Sequence, residues 1–314
     1  IPENEGLRCP YHGWIFGTDG KCVDMPAEPE DSTFKHRVNI PAYPVQEMGG
    51  LIWAYLGPTP VPLLPRFDLY VREDFRREIG VTQMPCNWVQ IMENSLDPTH
   101  LEWLHGLYTN YSLEKAGLEP SARVEHHEKI AFDIWDFGIF KRRLLTGQSE
   151  DNDDWKIGHP ILFPITLALG GGSRGEPMFQ IRVPVDDENT KHFWYQCFPK
   201  KQGEGEQRPE DIPVYDVPVA YDDGRLVTES ISGQDMMVWV TQGAISDRTT
   251  ERLGTGDKGI ILFRAVLMDQ MEKVARGEDP MGVVRDPARN EPMIEIPRET
   301  KAHYTLGEFV PADR

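Results

Sequence analysis

The chain has 314 residues, with 33 lysines and arginines against 51 aspartates and glutamates, so its formal net charge is −18 at pH 7. A chain this acidic is not attracted to nucleic acid or to an anionic membrane surface, and we predict neither partner. No apolar run approaches the ~18 residues of a membrane span, and the first residues lack the basic and apolar segments of a signal peptide. The scattered cysteines form no disulfide framework, which favours a reducing, cytoplasmic compartment.

The first motif in the chain is residues 9–14, Cys-Pro-Tyr-His-Gly-Trp. A Cys-x-x-His pair in a turn can place a thiolate and an imidazole on one metal centre. Zinc would need two more soft ligands nearby, and Cys22 is the nearest candidate. A Rieske [2Fe–2S] cluster is held by two cysteines and two histidines, and the hexapeptide matches the second half of that ligand pattern. We therefore predict that Cys9 and His12 bind such a cluster.

A small all-β domain is predicted to end with the strand-like residues 51–55. Residues 57–65, Gly-Pro-Thr-Pro-Val-Pro-Leu-Leu-Pro, then interrupt regular structure, because proline lacks a backbone donor and fixes φ. We place a first domain at 1–57, a proline-rich linker at 58–66 and a second domain at 67–314.

Residues 93–105 place His100 and His105 five positions apart, close to several carboxylates. Two histidines and a carboxylate can hold ferrous iron on one face and leave the other face open. On a regular α-helix, residues five apart diverge by well over a quarter-turn, so shared ligation requires a π-type bulge or a helix break. We predict a distorted helix here. The alternative is an amphipathic helix with Leu101 and Leu104 inward and both histidines in solvent.

The third ligand is predicted to be Asp235, which lies among methionines and a valine in residues 232–239. A carboxylate in such surroundings is costly to bury unless it binds a cation or accepts hydrogen bonds. Glu229 and Asp247 are the alternatives, although Asp247 precedes Arg248 and is better suited to a surface ion pair.

Two further polar residues are candidates for roles around the metal. Asp97 precedes His100 by three residues and can accept the second imidazole N–H, which would fix the tautomer. It can also cap a helix that starts at Pro98, and the two roles are compatible. Arg182 could pair with a substrate carboxylate in bidentate fashion, or form a structural ion pair.

Period-two stretches between residues 128 and 198 predict an antiparallel sheet. Residues 255–257 can cap a later helix, which Gly277 would end. Its apolar residues recur every three or four positions, so we assign them to the core: Ile260, Phe263, Leu267, Met271 and Val274.

With these motifs in place, the chain resembles the large (alpha) subunit of Rieske non-haem iron aromatic ring-hydroxylating oxygenases, and within them the phthalate dioxygenase-like group. The resemblance rests on residues 9–14, on Asn87-Trp88 ahead of residues 93–105, and on residues 22–26, 49–55, 180–184 and 247–248. It implies an α+β fold. Residues 1–57 would be the C-terminal remnant of a Rieske domain, and residues 67–314 a helix-grip catalytic domain with its sheet curved round a long C-terminal helix. The family's first cluster motif, Cys-x-His, is absent from residues 1–8, so we expect that an N-terminal part is missing.

The resemblance also implies a function, that of a terminal oxygenase component. It would use O₂ to hydroxylate an aromatic, carboxylated substrate, by cis-dihydroxylation or by monooxygenation with O-demethylation. NAD(P)H would supply electrons through a separate ferredoxin or flavin reductase and the [2Fe–2S] cluster to a mononuclear Fe(2+) on His100, His105 and Asp235. Asn94 would join Arg182 in contacting substrate.

By the same resemblance, Asp97 would connect the iron to the cluster histidine of a neighbouring subunit in a homotrimer or hexamer. A cluster-free, non-catalytic homologue and a Rieske electron carrier are the alternatives. A carrier would not need the ~250 residues beyond the linker, a size nearer a second complete domain.

Overall fold

The computed structural model describes residues 1–120, 124–171 and 176–299. The chain divides into two compact units, Ile1–Leu64 and the part from Pro65 onwards. Among the described residues, no helix combines the length and apolar character needed to cross a bilayer.

The first unit is built from short strands, and all of its residues are described. Its four-stranded antiparallel sheet has the order β1-β2-β3-β4, and β5 and β6 form a separate antiparallel pair. The buried hydrophobic residues of this unit are Ile15, Cys22 and Met25. The elements are β1 (Pro2–Glu3), β2 (Gly6–Arg8), β3 (Ile15–Phe16), β4 (Cys22–Asp24), a 3₁₀ turn (Phe34–Arg37), β5 (Val45–Met48) and β6 (Leu51–Ala54).

The second unit is organised by one large sheet, with eight strands among its described residues in the order β14-β7-β13-β12-β11-β10-β9-β8. Neighbours are antiparallel except β14 and β7, which are parallel. The predicted antiparallel sheet is thereby confirmed, although β7 was not anticipated. The strands are β7 (Phe75–Met84), β8 (His127–Trp135), β9 (Gly138–Leu145), β10 (His159–Leu162), β11 (Thr166–Leu169), β12 (Met178–Pro184), β13 (Thr190–Pro199) and β14 (Val214–Asp216).

Helices cover this sheet and carry the residues of greatest chemical interest. They are α1 (Asp68–Val71), α2 (Trp88–Ser95), a π-helix (Leu101–Tyr108), α3 (Thr109–Lys115), α4 (Asp153–Lys156), α5 (Ile231–Thr241) and α6 (Lys258–Ala275). Single 3₁₀ turns lie at Pro209–Asp211, Arg248–Thr250, Thr255–Asp257 and Pro287–Arg289.

Helix α2 connects two buried clusters. Its Met92 and Leu96 pack with Phe263 and Val266 of α6. On another side, its Ile91 packs in a second cluster that includes Trp239 of α5. Helix α5, which carries Asp235, is therefore attached to α2 through a buried cluster.

The long helix α6 forms as predicted and ends before Gly277, whose φ of 77° suits a residue without a side chain. The predicted core face was wrong in part, because Met271 and Val274 are 57% and 54% exposed. The buried stripe of α6 instead runs through Gly259, Phe263, Val266 and Gln270. Apolar character at helical spacing did not distinguish this stripe from the neighbouring one.

Candidate metal centre

A π-helix brings the two predicted histidines together. His100 directly precedes the π-helix Leu101–Tyr108, which contains His105. Hydrogen bonding from each residue to the fifth before it widens the turn, and the two imidazole centroids lie 5.1 Å apart. The predicted helix distortion is confirmed, and the alternative with both histidines in solvent is wrong, since His105 is only 9% exposed.

Both imidazoles are held through Nδ1 by carbonyl oxygens. His100 Nδ1 donates to the backbone carbonyl of Asp97 at 2.7 Å, and His105 Nδ1 donates to Gln234 Oε1 at 2.8 Å. The Gln234 amide is oriented in turn, because its Nε2 donates to Thr109 Oγ1 at 2.9 Å and to the Thr228 carbonyl at 3.1 Å. With Nδ1 protonated, Nε2 of each imidazole is left as a lone-pair donor, the form that binds a metal ion.

Asp235 completes this group of side chains from helix α5. Its Oδ1 lies 3.2 Å from His105 Nε2 and 3.6 Å from His100 Nε2, and it accepts no hydrogen bond from the described residues. The three candidate ligand atoms all lie within 4.8 Å of one another. Imidazole nitrogens and a carboxylate oxygen that converge in a buried site repel one another unless a cation lies between them. The donor set therefore fits a mononuclear metal ion such as Fe(II).

The alternative third ligands lie elsewhere. Glu229 accepts hydrogen bonds from the Tyr221 hydroxyl and the Thr228 amide. Asp247 accepts from the Thr249 amide at the start of a 3₁₀ turn. Neither joins the histidines.

The charges around Asp235 keep it ionised. Burial alone would raise the pKa of the Asp235 carboxyl, but His105, His100 and Arg182 outweigh burial and hold the pKa below its usual value. Burial likewise lowers the pKa of His105, while the facing Asp235 carboxylate raises it, and the net shift is upward. Asp235 is therefore a carboxylate at neutral pH, as cation binding requires.

The carboxylate of Asp97 does not hold His100, in contrast to the prediction. Its Oδ2 lies 3.6 Å from His100 Nδ1, while the Asp97 backbone carbonyl accepts the hydrogen bond. Asp97 Oδ1 instead accepts from the Thr99 amide at 2.7 Å and from the Thr99 hydroxyl at 2.6 Å. Burial raises the pKa of Asp97, but His100 and these Thr99 donors outweigh it and hold the pKa well below its usual range. Asp97 is thus an anionic turn residue beside His100.

A cavity of about 520 Å³ adjoins the three candidate ligands, a volume within the ~300–1,000 Å³ of small-molecule sites. Asn94 lines it, as predicted for a substrate contact. Arg182 is not in the described wall of the cavity. It is fully buried, and its guanidinium donates to Gln180 Oε1 at 2.6 Å and to Met92 Sδ at 3.6 Å. The structure thus contradicts Arg182 as a partner for a substrate carboxylate.

Lys141 and Arg143 on β9 are the lysine and arginine that line the cavity among the described residues, and sequence reasoning missed both. Their spacing of two on a strand was the available signal, since alternate residues share one face. His159 also lines the cavity, with Nε2 3.0 Å from Asp154 Oδ1 and Nδ1 3.2 Å from Glu299 Oε1. Glu299 is far from His159 in the sequence, so this pairing had no local signature.

Cys9 and His12 lie in an exposed turn between β2 and β3. The turn is closed by hydrogen bonds from the Cys9 amide to the Trp14 carbonyl at 2.8 Å and from the Gly13 amide to the Cys9 carbonyl at 3.0 Å. In the described part of the chain, no further candidate ligand gathers with these two residues. They fit half of a Rieske cluster, so we derive no step through the cluster from this chain alone.

Comparison with known proteins places these observations in a family. Residues 1–44 match the Rieske [2Fe-2S] domain, and residues 221–295 match a domain described as LigXa C-terminal domain like. The 5,5'-dehydrodivanillate O-demethylase oxygenase subunit of Sphingobium sp. (strain NBRC 103272 / SYK-6) is 39% identical over 316 residues, covering 99% of this chain and 72% of that protein. The phthalate 4,5-dioxygenase oxygenase subunit of Pseudomonas putida is 30% identical, covering 89% and 70%.

Solved structures show the same fold at lower identity. The structure of Pseudomonas putida CBB5 NdmA with caffeine has a TM-score of 0.59 at 20% identity and covers 88% of this chain and 75% of that chain. Dicamba monooxygenase bound to dicamba has a TM-score of 0.53 at 16% identity, covering 88% and 83%.

The fold and the site define a class: an α+β domain with a large antiparallel sheet and a buried group of two histidines and one carboxylate. The relatives' identity and coverage make the assignment specific. This chain belongs to the oxygenase subunits of Rieske-type oxygenases. The predicted family, fold class and enzyme class are confirmed, and the family's cofactors are a [2Fe–2S] cluster and non-haem iron.

Proposed function

We propose that His100, His105 and Asp235 bind a mononuclear Fe(II) and that this chain oxygenates a small aromatic substrate in the adjoining cavity. The observation that carries the proposal is the convergence of two imidazole Nε2 atoms, whose Nδ1 atoms each contact a carbonyl oxygen, and a carboxylate oxygen that accepts no hydrogen bond from the described residues. Iron held by these residues would supply the activation of O₂, with electrons from NAD(P)H through a ferredoxin or flavin reductase and the Rieske cluster.

The chain's own residues would hold and orient the reactants. The Asp97 carbonyl and the Gln234 amide fix the two imidazoles, so the ligands need little reorganisation when the metal binds. Leu167, Met178 and Trp194 give the cavity an apolar wall for an aromatic ring, and Asn94 adds a polar contact. Cys9 and His12 would be two of the four cluster ligands.

Among oxygenation reactions, O-demethylation of an aromatic carboxylate is the one we propose. The relative at 39% identity is named for O-demethylation, and that at 30% for dioxygenation of phthalate. Both named compounds, dehydrodivanillate and phthalate, are aromatic carboxylates.

Product analysis with the cluster-loaded enzyme and a reductase tests this choice. A panel of methoxylated benzoates and their methoxy-free analogues would be incubated with isotope-labelled O₂. Formaldehyde release from the methoxylated members supports O-demethylation. Incorporation of both oxygen atoms into the ring would establish dihydroxylation instead, and the absence of any oxygenated product would contradict the proposed function.

We also propose a homotrimer or hexamer, in which His12 of one chain approaches Asp97 of the next. Two observations support it: His12 lies on an exposed turn, and the Asp97 side chain beside His100 keeps 24% exposure. An anionic Asp97 could then accept a hydrogen bond from the neighbouring imidazole.

A further inference from the structure

We propose that Lys141 is the anion-binding residue of the cavity and that it receives the carboxylate of an aromatic acid. The inference rests on the proposed function and adds to it the residue that selects the substrate class. Lys141 takes the role predicted for Arg182, whose side chain is buried and does not line the cavity.

Strand β9 directs Lys141 into the cavity. Lys141, Arg143 and Leu145 alternate along the strand, and all three line the cavity, because every second residue of a strand faces the same side. In the sheet, Lys141 pairs with His159 of β10 and with Phe132 of β8. It is only 6% exposed, so its aliphatic stem is enclosed.

The Lys141 ammonium has no counter-ion in contact. Among the described residues, none forms a hydrogen bond or an ion pair with it. A buried ammonium without a hydrogen-bonded partner is costly, and the charges of Asp97, Glu299 and Asp235 offset only part of the water it has lost. A ligand carboxylate in the cavity would supply both the opposite charge and the hydrogen-bond acceptor.

The neighbouring basic side chains, Arg143 and His159, already have partners. Arg143 Nη2 lies 3.6 Å from Asp154 Oδ1, and His159 lies between Asp154 and Glu299. These two carboxylates are therefore committed to Arg143 and His159. Among the described residues of the cavity wall, Lys141 is left as the cation that is available to a ligand.

The other side chains of the cavity wall indicate what the rest of that ligand, beyond its carboxylate, is like. Leu167, Leu169, Met178 and Trp194 line the same cavity and suit an apolar, planar group. An acid whose ring packs on these side chains, with its carboxylate at Lys141, would lie within the cavity that His100, His105 and Asp235 also line.

Calorimetric titration of the full chain with paired probes tests the assignment. The probes are vanillate, phthalate and 3-chlorobenzoate, each with its primary amide as the uncharged counterpart. We expect at least one acid to bind about tenfold more tightly than its amide, as a charge-assisted hydrogen bond of ~1.4 kcal/mol gives. Lys141→Met should remove this preference, whereas Lys141→Arg should keep it within about threefold of the parent.

A matched control and a second variant keep the outcome clear. Lys129→Met removes an equal charge from an exposed lysine of β8 that pairs with Glu150. This variant should change neither the affinity for the acid nor the affinity for its amide. If circular dichroism shows that Lys141→Met does not fold, Lys141→Gln replaces it. The proposal is overturned if no acid is preferred over its amide, or if the preference survives loss of the Lys141 charge.

Failure of this inference is separable from failure of the proposed function. Lys141 is not among the candidate metal ligands, so Lys141→Met should still bind one Fe(II) per chain, as the parent chain does. Loss of acid selectivity with intact iron binding supports the role of Lys141. Intact iron binding with unchanged acid selectivity contradicts that role and leaves the oxygenase assignment standing.

Discussion

Gln234 contacts one candidate ligand, His105, and directly precedes another, Asp235. In Gln234→Leu the Nδ1–H of His105 loses its acceptor, and the tautomer that exposes Nε2 is no longer favoured. We expect Co(II) affinity of the chain to fall about 10- to 100-fold, the usual effect of removing such a partner. Gln234→Glu keeps an acceptor oxygen and should bind Co(II) much closer to the parent value.

The control is Gln242→Leu, which changes an exposed glutamine at the end of the same helix. Equal Co(II) affinity in Gln234→Leu and in the parent would show that the glutamine does not set the state of His105.

Lys141 gives acid binding a pH dependence with a definite sign. Burial and the charge of Arg143 lower the pKa of Lys141 to about 8, although the carboxylates of Asp97, Glu299 and Asp235 act in the opposite direction. A carboxylate probe binds the protonated ammonium, so its affinity should be full below that pKa and weaken as the pH rises through it. Calorimetry across this range measures the effect.

Lys141→Arg isolates the contribution of Lys141 from the other groups that titrate around the cavity. Arginine stays protonated to a pKa above ~12, so acid affinity in this variant should not fall over the same range. A parallel fall in both proteins would assign the titration to another group.

At the scale of elements, Gly259 lets α6 begin directly against the end of α2. A Cβ at this position would lie 2.4 Å from the Leu96 carbonyl oxygen and 2.3 Å from the Phe132 ring. Gly259→Ala should therefore destabilise the protein by about 1–3 kcal/mol, more than the ~1 kcal/mol that alanine gains in helix propensity. Urea unfolding measures the difference.

Gly256→Ala is the matched control, because a Cβ there meets nothing within 4 Å. A Gly259→Ala variant as stable as the parent would mean that α2 and α6 can separate without cost.

The elements also show which parts of the site were predictable. The five-residue spacing of His100 and His105 is a local property, and it predicted a π-type bulge or a helix break, of which the structure has a π-helix. Asp235 was chosen as the third ligand because an acidic residue in an apolar helix needs a partner. The π-helix and α5 then proved to be joined through Gln234.

The wrong predictions depended on contacts between residues that are distant in the sequence, or on which group of a single turn residue accepts a hydrogen bond. Arg182 alternates with apolar residues like a cavity residue, but α2 covers it through Met92. Asp97 lies beside His100 as predicted, yet its backbone carbonyl rather than its carboxylate accepts the hydrogen bond from His100 Nδ1. The contact between His159 and Glu299 was not predicted, because it joins residues far apart in the sequence and no local pattern encodes it.

At the scale of the whole molecule, electron transfer between subunits would depend on Asp97. In the cluster-loaded enzyme, Asp97→Asn should keep its mononuclear iron, because the Asp97 backbone carbonyl still accepts from His100. Product formed per electron consumed should fall steeply, since the neutral amide is a poorer partner for a neighbouring cluster histidine. Reductant consumption and product are measured together.

Asp247→Asn, at the exposed start of a 3₁₀ turn, serves as the control and should behave as the parent. Near-normal coupling in Asp97→Asn would remove the bridging role and, with it, the main argument for a ring of subunits.

The most direct test of the account is anaerobic addition of Fe(II) and nitric oxide to the chain, followed by electron paramagnetic resonance. Iron on two histidines and one carboxylate keeps open positions, so we predict a high-spin iron–nitrosyl signal of about one per chain. That signal should disappear in Asp235→Ala and in His105→Ala, and it should persist in Asp247→Ala. A signal of equal size in all four proteins, or none in the parent, would contradict the assignment of the metal centre.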